Sequence, residues 1–447
     1  MNKQIKQNGG VFINPENVQD VLKQYMLVDG FDITLELQKS RGVYLYDSKH
    51  KRNLLDFFTF VSSNPIGMNH PKLYNDEFIR HIGEIAISKP SLSDVYLKEQ
   101  AEFVDTFFKI AVPKYFKYAF FIEGGTLAVE NAIKAAFDWK VQKNFQKGLK
   151  AEKGSKVIHF KDAFHGRSGY CLSMTNTDPM KIKYFPKFDW PRIINPKITF
   201  PLNEKNLEEV RKTEELAIKQ IKDAILNNPD DIAAIIIEVI QGEGGDNHFR
   251  KEFLQSLRDI CDENEIMLIF DEVQTGIGIT GEWWGHMHFV KPDIISFGKK
   301  TQVCGILSTD RIDEIETNVF KVPSRINSTW GGNIVDMVRF KRIIEVINED
   351  NLIENARTSG SHLLNRIYEL QAKYPSIISN GRGLGLFCAF DCDTPETRNK
   401  IISECLNNGL MILGCGVKSI RFRPSLTITP QEIDKGIEII DNVIKNL

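Results

Sequence analysis

The 447-residue chain lacks any apolar run long enough to cross a bilayer. Its longest, Ile232 to Ile237, falls far short of the ~20 residues a spanning helix needs. The opening residues, MNKQIKQNGGVFINPENV, contain no apolar core of a secretory signal, so the expected location is the cytoplasm. Charge of one sign is also missing. The 57 basic and 59 acidic residues leave a net −2, without the basic footprint of a nucleic-acid binder or the run of an acidic tail. Paired cysteine knuckles are absent as well. The seven cysteines are scattered, Cys388 and Cys392 make only a CxxxC, and no metal site is expected; reduced, buried thiols fit a cytosolic protein. No GxxxxGK[ST] loop, no GxGxxG after a strand and no GxSxG occurs, which argues against the usual nucleotide, dinucleotide and hydrolase routes.

The composition that remains, 42% hydrophobic and 26% charged, is that of a globular protein with a large core. The middle of the chain alternates short apolar runs with helical patterns. Strands are expected at 118–122, 157–160, 232–240, 266–270 and 293–297, and helices at 127–140, 207–226 and 253–263. The run 232–240 is almost continuously apolar, as a strand covered on both faces requires. This order indicates an α/β fold with a mainly parallel, doubly wound sheet. Helices are expected at 335–349, 359–373 and 430–445 in the tail. Residues 76–334 are read as a large domain. Residues 1–75 and 335–447 together are read as a smaller α+β domain.

Three constellations fall at carboxyl ends of expected strands, where open α/β sheets place ligands. Glu123-Gly124-Gly125-Thr126 runs straight into a helix, whose free N–H groups and dipole attract an anion. Asp271 follows a buried apolar strand and needs a cationic partner or several donors to stay charged. Lys299-Lys300 follows another strand and Gly298, a setting that desolvates an amine and makes it nucleophilic. Each has a bland reading alone: an ordinary N-cap, a core ion pair, a surface charge pair. In combination they supply the three parts pyridoxal phosphate requires: an anion cradle, a pyridinium partner and a Schiff-base lysine.

The blocks 121–140, 163–170 (AFHGRSGY), 185–193 (FPKFDWPRI), 240–250 (IQGEGGDNHFR), 271–276 (DEVQTG), 297–305 (FGKKTQVCG), 322–333 (VPSRINSTWGGN) and 420–427 (IRFRPSLT) resemble, in order, those of the class III (ω-amino-acid) aminotransferases. That resemblance implies the pyridoxal-phosphate-dependent transferase fold of type I. It assigns the Schiff-base lysine to Lys300, because the family places a glycine five residues after that lysine and Gly305 fits. It gives Asp271 to the pyridine nitrogen, Gln274 to the phenolic oxygen, and Gly125 and Thr126 to the phosphate. Phe164 is implied to stack on the ring, and Glu238 joins the cofactor-binding set. Thr329 is implied to reach the phosphate of a neighbouring subunit, hence a homodimer.

Within the class, the same blocks are most similar to the members that move the ε-amino group of L-lysine to 2-oxoglutarate. The resemblance then implies that Arg167 takes the distant carboxylate of either substrate and Arg421 the near carboxylate of the oxo acid. Glu243 would pair with Arg421 while lysine is bound and move aside for the oxo acid, since an unpaired buried guanidinium is costly. Arg423 is the rival for Arg421, rejected because the family's arginine stands three residues before a proline. Two departures are visible: Val239 and Ser425 stand where the family often has proline. Ornithine, N-acetylornithine or 4-aminobutyrate as donor, and a decarboxylase or racemase on the same fold, are the alternatives.

Overall fold

The computed structural model describes residues 13–447; the start of the N-terminal segment, residues 1–12, lies outside them. The strands in chain order are β1 (Tyr44–Asp47), β2 (Arg52–Asp56), β3 (Phe116–Ile122), β4 (Lys156–Phe160), β5 (Arg192–Ile193) and β6 (Ile232–Ile237). They continue with β7 (Ile240–Gln241), β8 (Asn247–His248), β9 (Met267–Asp271), β10 (Ile294–Phe297) and β11 (Cys304–Thr309). The tail adds β12 (Ile378–Leu384), β13 (Phe387–Cys392), β14 (Leu410–Met411), β15 (Leu413–Cys415) and β16 (Ser419–Phe422).

Seven strands form one sheet in the order β3-β11-β10-β9-β6-β4-β5. From β10 to β5 every pairing is parallel, while β11 runs antiparallel to both of its neighbours. The pleat sorts the side chains of the central strands into two cores. Ile236 and Ile269 join Val129, Ile133, Ala136 and Trp139 of the helix Gly125–Gln146 on one face. Ile235, Ile237, Leu268 and Phe270 join Leu257 and Phe253 of the helix Lys251–Glu263 on the other. All six residues of β6 are buried. Burying each isoleucine there contributes about 1.5–3 kcal/mol, so a strand covered on both faces is the stable outcome for this run.

The tail builds a four-stranded antiparallel sheet, β12-β13-β16-β15. Its last helix, Pro430–Lys445, starts at a capping box in which the side chains of Thr429 and Glu432 satisfy each other's backbone N–H groups. A third sheet joins the two ends of the chain, with β14 adding in parallel to the β1–β2 hairpin. After β2 the chain makes one left-handed turn, Thr59–Ser62, with four consecutive φ values between +41° and +65° and no glycine. Such a turn costs about 1–2 kcal/mol per residue and persists only where its surroundings hold it. All seven cysteines are buried and free. No helix among the described residues is long and apolar enough to cross a membrane.

Candidate active site

Because β3, β4, β6, β9 and β10 run the same way, the turns after them gather at one edge of the sheet. A cavity of about 320 Å³ opens there, lined by Gly125, Thr126, Phe164, His165, Gly166, Arg167, Glu238, Asp271, Gln274 and Lys299. At its floor the long helix begins at Gly125, preceded by Gly124 at φ +95°, a conformation that suits glycine. Thr126 Oγ1 lies 2.9 Å from Ser168 Oγ, which donates to Glu130 Oε1 at 2.8 Å. Gly166, at φ +118°, passes so close that a Cβ there would sit 2.2 Å from Thr126 Oγ1. The arrangement is an anion cradle made of a helix N-terminus and two hydroxyls.

Asp271 ends β9 and is 5% exposed. Its Oδ2 lies 2.8 Å from His165 Nδ1, and its Oδ1 accepts the Val273 N–H at 3.1 Å. Burial would push His165 down, but the hydrogen-bonded Asp271 carboxylate holds the imidazole above its ordinary pKa. Glu238 accepts the Phe164 and Gly242 N–H groups, each at 3.0 Å, and burial pushes its carboxyl up to about 7. Gln274 Oε1 is buried and has no hydrogen-bond partner among the described residues.

The two lysines after β10 part company. Lys299 takes φ +55°, an uncommon conformation for a side-chain-bearing residue and one found where a site over-determines the backbone. It lines the cavity next to Gly298, where an added Cβ would sit 3.0 Å from Cys304 Sγ and 3.5 Å from the Gly125 Cα. Burial together with the charges of Arg421 and Arg423 pushes the Lys299 amine down to about 8, with Glu243 and Asp271 opposing. Burial, with the charges of Lys299 and Arg423, pushes the Lys300 amine well below the ordinary lysine range, with Glu272 opposing. Its Nζ donates to the Gln274 carbonyl at 2.6 Å and to Ser62 Oγ at 2.9 Å, which ties the left-handed turn to the loop that follows β9.

Beside Lys299 stands a polar group from the C-terminal sheet. Arg421, on β16 and 3% exposed, donates from Nη2 to Glu243 Oε2 at 2.9 Å, while its Nε and Nη1 have no partner among the described residues. Burial would raise Glu243, but Arg421 and Lys181 hold its carboxyl below the ordinary range.

The class-III aminotransferase family profile matches residues 25–444. The chain belongs to the class-III aminotransferases. It is 48% identical over 432 residues to the L-lysine-epsilon aminotransferase of Mycobacterium tuberculosis, covering 96% of each chain. It is 43% identical to the enzyme of the same name from Streptomyces clavuligerus, over 96% of this chain and 94% of that one. Its identity to human mitochondrial 4-aminobutyrate aminotransferase is 31% over 95% of this chain. The solved lysine aminotransferase from M. tuberculosis, in the internal aldimine form, superposes with a TM-score of 0.95 at 47% identity, over 97% of this chain. A transaminase from Virgibacillus, 21% identical with a TM-score of 0.81, shares the fold, that of the type I transaminases.

Class-III aminotransferases work with pyridoxal phosphate, and this member has groups that fit it: the hydroxyl-lined cradle, the buried Asp271, the unpartnered Gln274 Oε1 and two adjacent lysine amines held below their ordinary range. Of the residues singled out in the sequence, Gly125, Thr126, Phe164, Arg167, Glu238, Asp271 and Gln274 line one cavity, and Glu243 and Arg421 form an ion pair beside it. Lys300 lies against this cavity, its amine donating to Ser62 and to the carbonyl of the cavity residue Gln274 and pushed well below the ordinary lysine range by burial, while its neighbour Lys299 is in the lining itself. Thr329 is exposed and outside this cavity, with its carbonyl accepting the hydroxyls of Ser91 and Ser93. Arg423 is committed to Asp246, with Nη1 at 2.8 Å, and stacks over Phe387. His165 and Ser168 are additions. Both lie in the AFHGRSGY block, yet their partners, 106 and 42 residues away, carry no periodic signal.

Proposed function

We propose that this aminotransferase moves the ε-amino group of L-lysine to 2-oxoglutarate, releasing 2-aminoadipate 6-semialdehyde and L-glutamate, as a cytoplasmic homodimer using pyridoxal phosphate. The observation that carries the reading is Arg421. It is a buried guanidinium held on one nitrogen by a carboxylate, with two further donors to spare. A site that alternates between a donor with no charge near its reacting carbon and an oxo acid with a carboxylate there needs such a switchable cation. The identity to lysine-epsilon aminotransferases, 42–48% over nearly the whole chain, supports lysine over the other ω-amino donors.

The cofactor supplies an aldehyde that takes up amines and a ring that draws electrons from the neighbouring C–H bond. In our assignment Lys300 Nζ, pushed well below the ordinary lysine range by burial, would hold that aldehyde and, once freed, would act as the base that takes the proton from the substrate's ε-carbon and as the acid that returns it to the carbon of that aldehyde. Asp271, oriented by His165, would keep a ring nitrogen protonated, and Gln274 and Phe164, which line the same cavity, would serve the phenolic oxygen and the ring face. Gly125 and Thr126 hold the phosphate, and Thr329, exposed on its own subunit, would complete a partner's cradle. Glu238 keeps the Phe164 and Gly242 backbones in place. Arg167 takes the distant carboxylate of both substrates. We also propose 76–334 as the cofactor domain and 1–75 with 335–447 as the small domain, a division supported by the sheet that joins β14 to β1 and β2.

The test is to incubate the holoenzyme with lysine labelled separately at its two nitrogens and with 2-oxoglutarate. The ε-label should appear in glutamate. Transfer of the α-label, or amine loss without an oxo acid, would overturn the reading.

A further inference from the structure

Glu243 is held from two sides. Arg421 Nη2 donates to its Oε2 at 2.9 Å, and Lys181 Nζ donates to its Oε1 at 2.7 Å. Lys181 has no task in the proposed reaction. This lysine ends a short turn, Pro179–Lys181, started by Asp178, and its amine also reaches Thr177 Oγ1 at 3.2 Å. It lies 5.3 Å from the centre of the Phe164 ring, which places it on the rim of the cavity. Its side chain is 16% exposed, so the pair is partly desolvated and worth more than a surface ion pair.

The backbone around Glu243 has little freedom. The Gly416 N–H donates to the Glu243 carbonyl at 2.8 Å. Arg382 grips the carbonyls of Gly245 and Asp246, and Arg423 pairs with the Asp246 carboxylate. The loop therefore stays, and Glu243 leaves Arg421 only by rotating its side chain. With no second cation, that rotation would strand a partly buried carboxylate, which is expensive. With Lys181 on the other oxygen, the carboxylate gives up one partner and keeps one.

We propose that Lys181 is the holding cation for Glu243, retaining its carboxylate while Arg421 serves the oxo acid, and so is a specificity-determining residue for the acceptor half-reaction. This rests on the Arg421–Glu243 switch of the proposed function. The two half-reactions of the holoenzyme are followed separately by stopped-flow absorbance, with lysine or with 2-oxoglutarate. Binding of glutarate, a non-reacting dicarboxylate, is titrated alongside. Lys181→Met should slow the 2-oxoglutarate half-reaction about tenfold at low concentration and weaken glutarate by a similar factor, while the lysine half-reaction changes by less than about threefold. Lys181→Arg should restore both to within about threefold. In a Glu243→Ala background, Lys181→Met should alter neither half-reaction by more than about twofold, since nothing is left to hold. Equal slowing of both half-reactions by Lys181→Met, or the same acceptor loss without Glu243, overturns the role of Lys181 alone. Unchanged half-reactions in Glu243→Ala overturn the Arg421–Glu243 switch itself.

Discussion

The assignment of Lys300 as the Schiff-base lysine is open to a direct chemical test in the cofactor-free protein. Burial pushes the Lys300 amine well below the ordinary lysine range, whereas an ordinary lysine near 10.4 is only about 0.4% unprotonated at pH 8. Capture of pyridoxal phosphate by Lys300 should therefore run up to about 250-fold faster at pH 8 than capture by a surface lysine. The rate should flatten well before pH 10, because deprotonation is then complete. The assay is brief incubation with the cofactor between pH 6 and 10, reduction with borohydride, and mass spectrometry of the pyridoxyl peptides. Label should sit on Lys300. Lys300→Ala should remove it, and Lys299→Ala should leave it in place. In Lys300→Ala the loss of three hydrogen bonds to Ser62 and Gln274 costs about 1–3 kcal/mol of stability, so its fold is checked by circular dichroism. A pyridoxyl group on Lys299, or a profile still climbing through pH 10, would refute the reasoning.

Three further outcomes are expected. Asp271→Asn should keep the cofactor covalently bound yet lower turnover at least about 100-fold, some 2.7 kcal/mol in the barrier, because a neutral amide cannot hold the ring nitrogen protonated; turnover within threefold of the parent would end that role. Glu238 has its pKa raised from 4.5 to about 7 in the folded chain, so the fold binds this proton more tightly than the unfolded chain does. Stability falls as pH rises from about 4.5 through 7, by up to roughly 3 kcal/mol. Glu238→Gln, which keeps an acceptor for the Phe164 and Gly242 N–H groups, should raise the urea midpoint at pH 8 and leave it nearly unchanged at pH 5; an equal shift at both is the contrary result. Gly166→Ala would bring a Cβ to 2.2 Å from Thr126 Oγ1 and force the cradle open. Retention of the cofactor on dialysis should weaken at least about tenfold, more than ~1.4 kcal/mol, and unaltered retention would take Thr126 out of the phosphate site.

Much of this site was legible because strand ends concentrate chemistry. The apolar runs at 118–122, 232–240 and 266–270 announce strands, and the turns that leave these strands lie at one edge of the sheet. The helix 430–445 was legible to the residue, since Thr429, Pro430 and Glu432 make a start signal that acts locally. Other features depend on distant partners. β11 was not read as a strand, because only its place between β3 and β10, against both of which it runs antiparallel, makes CGILST extended. The left-handed turn Thr59–Ser62 contains no glycine to mark it. It is held from outside, by Asp56 Oδ1 on the Phe58 and Thr59 N–H groups, by the Arg423 carbonyl on Thr59 Oγ1, and by Lys300 on Ser62.

The choice between the two lysines was read by counting back from Gly305, and the fold shows why that glycine is a fixed marker. It pairs with Phe297 and Phe121 inside the sheet, and a Cβ there would sit 2.2 Å from the Phe120 carbonyl. Phe297 and Gly305 are partners in neighbouring strands, so the connection that carries both lysines has a set length. Within it, in the tight turn Lys299–Thr301, three residues complete a revolution and neighbouring side chains point about 120° apart. The two amines therefore meet different surroundings. Lys299 is in the cavity lining, whereas Lys300 donates to Ser62 and to the carbonyl of the cavity residue Gln274, where burial pushes its amine well below the ordinary range. The left-handed turn that supplies Ser62 thus helps, from the far end of the chain, to position the amine that the spacing selects.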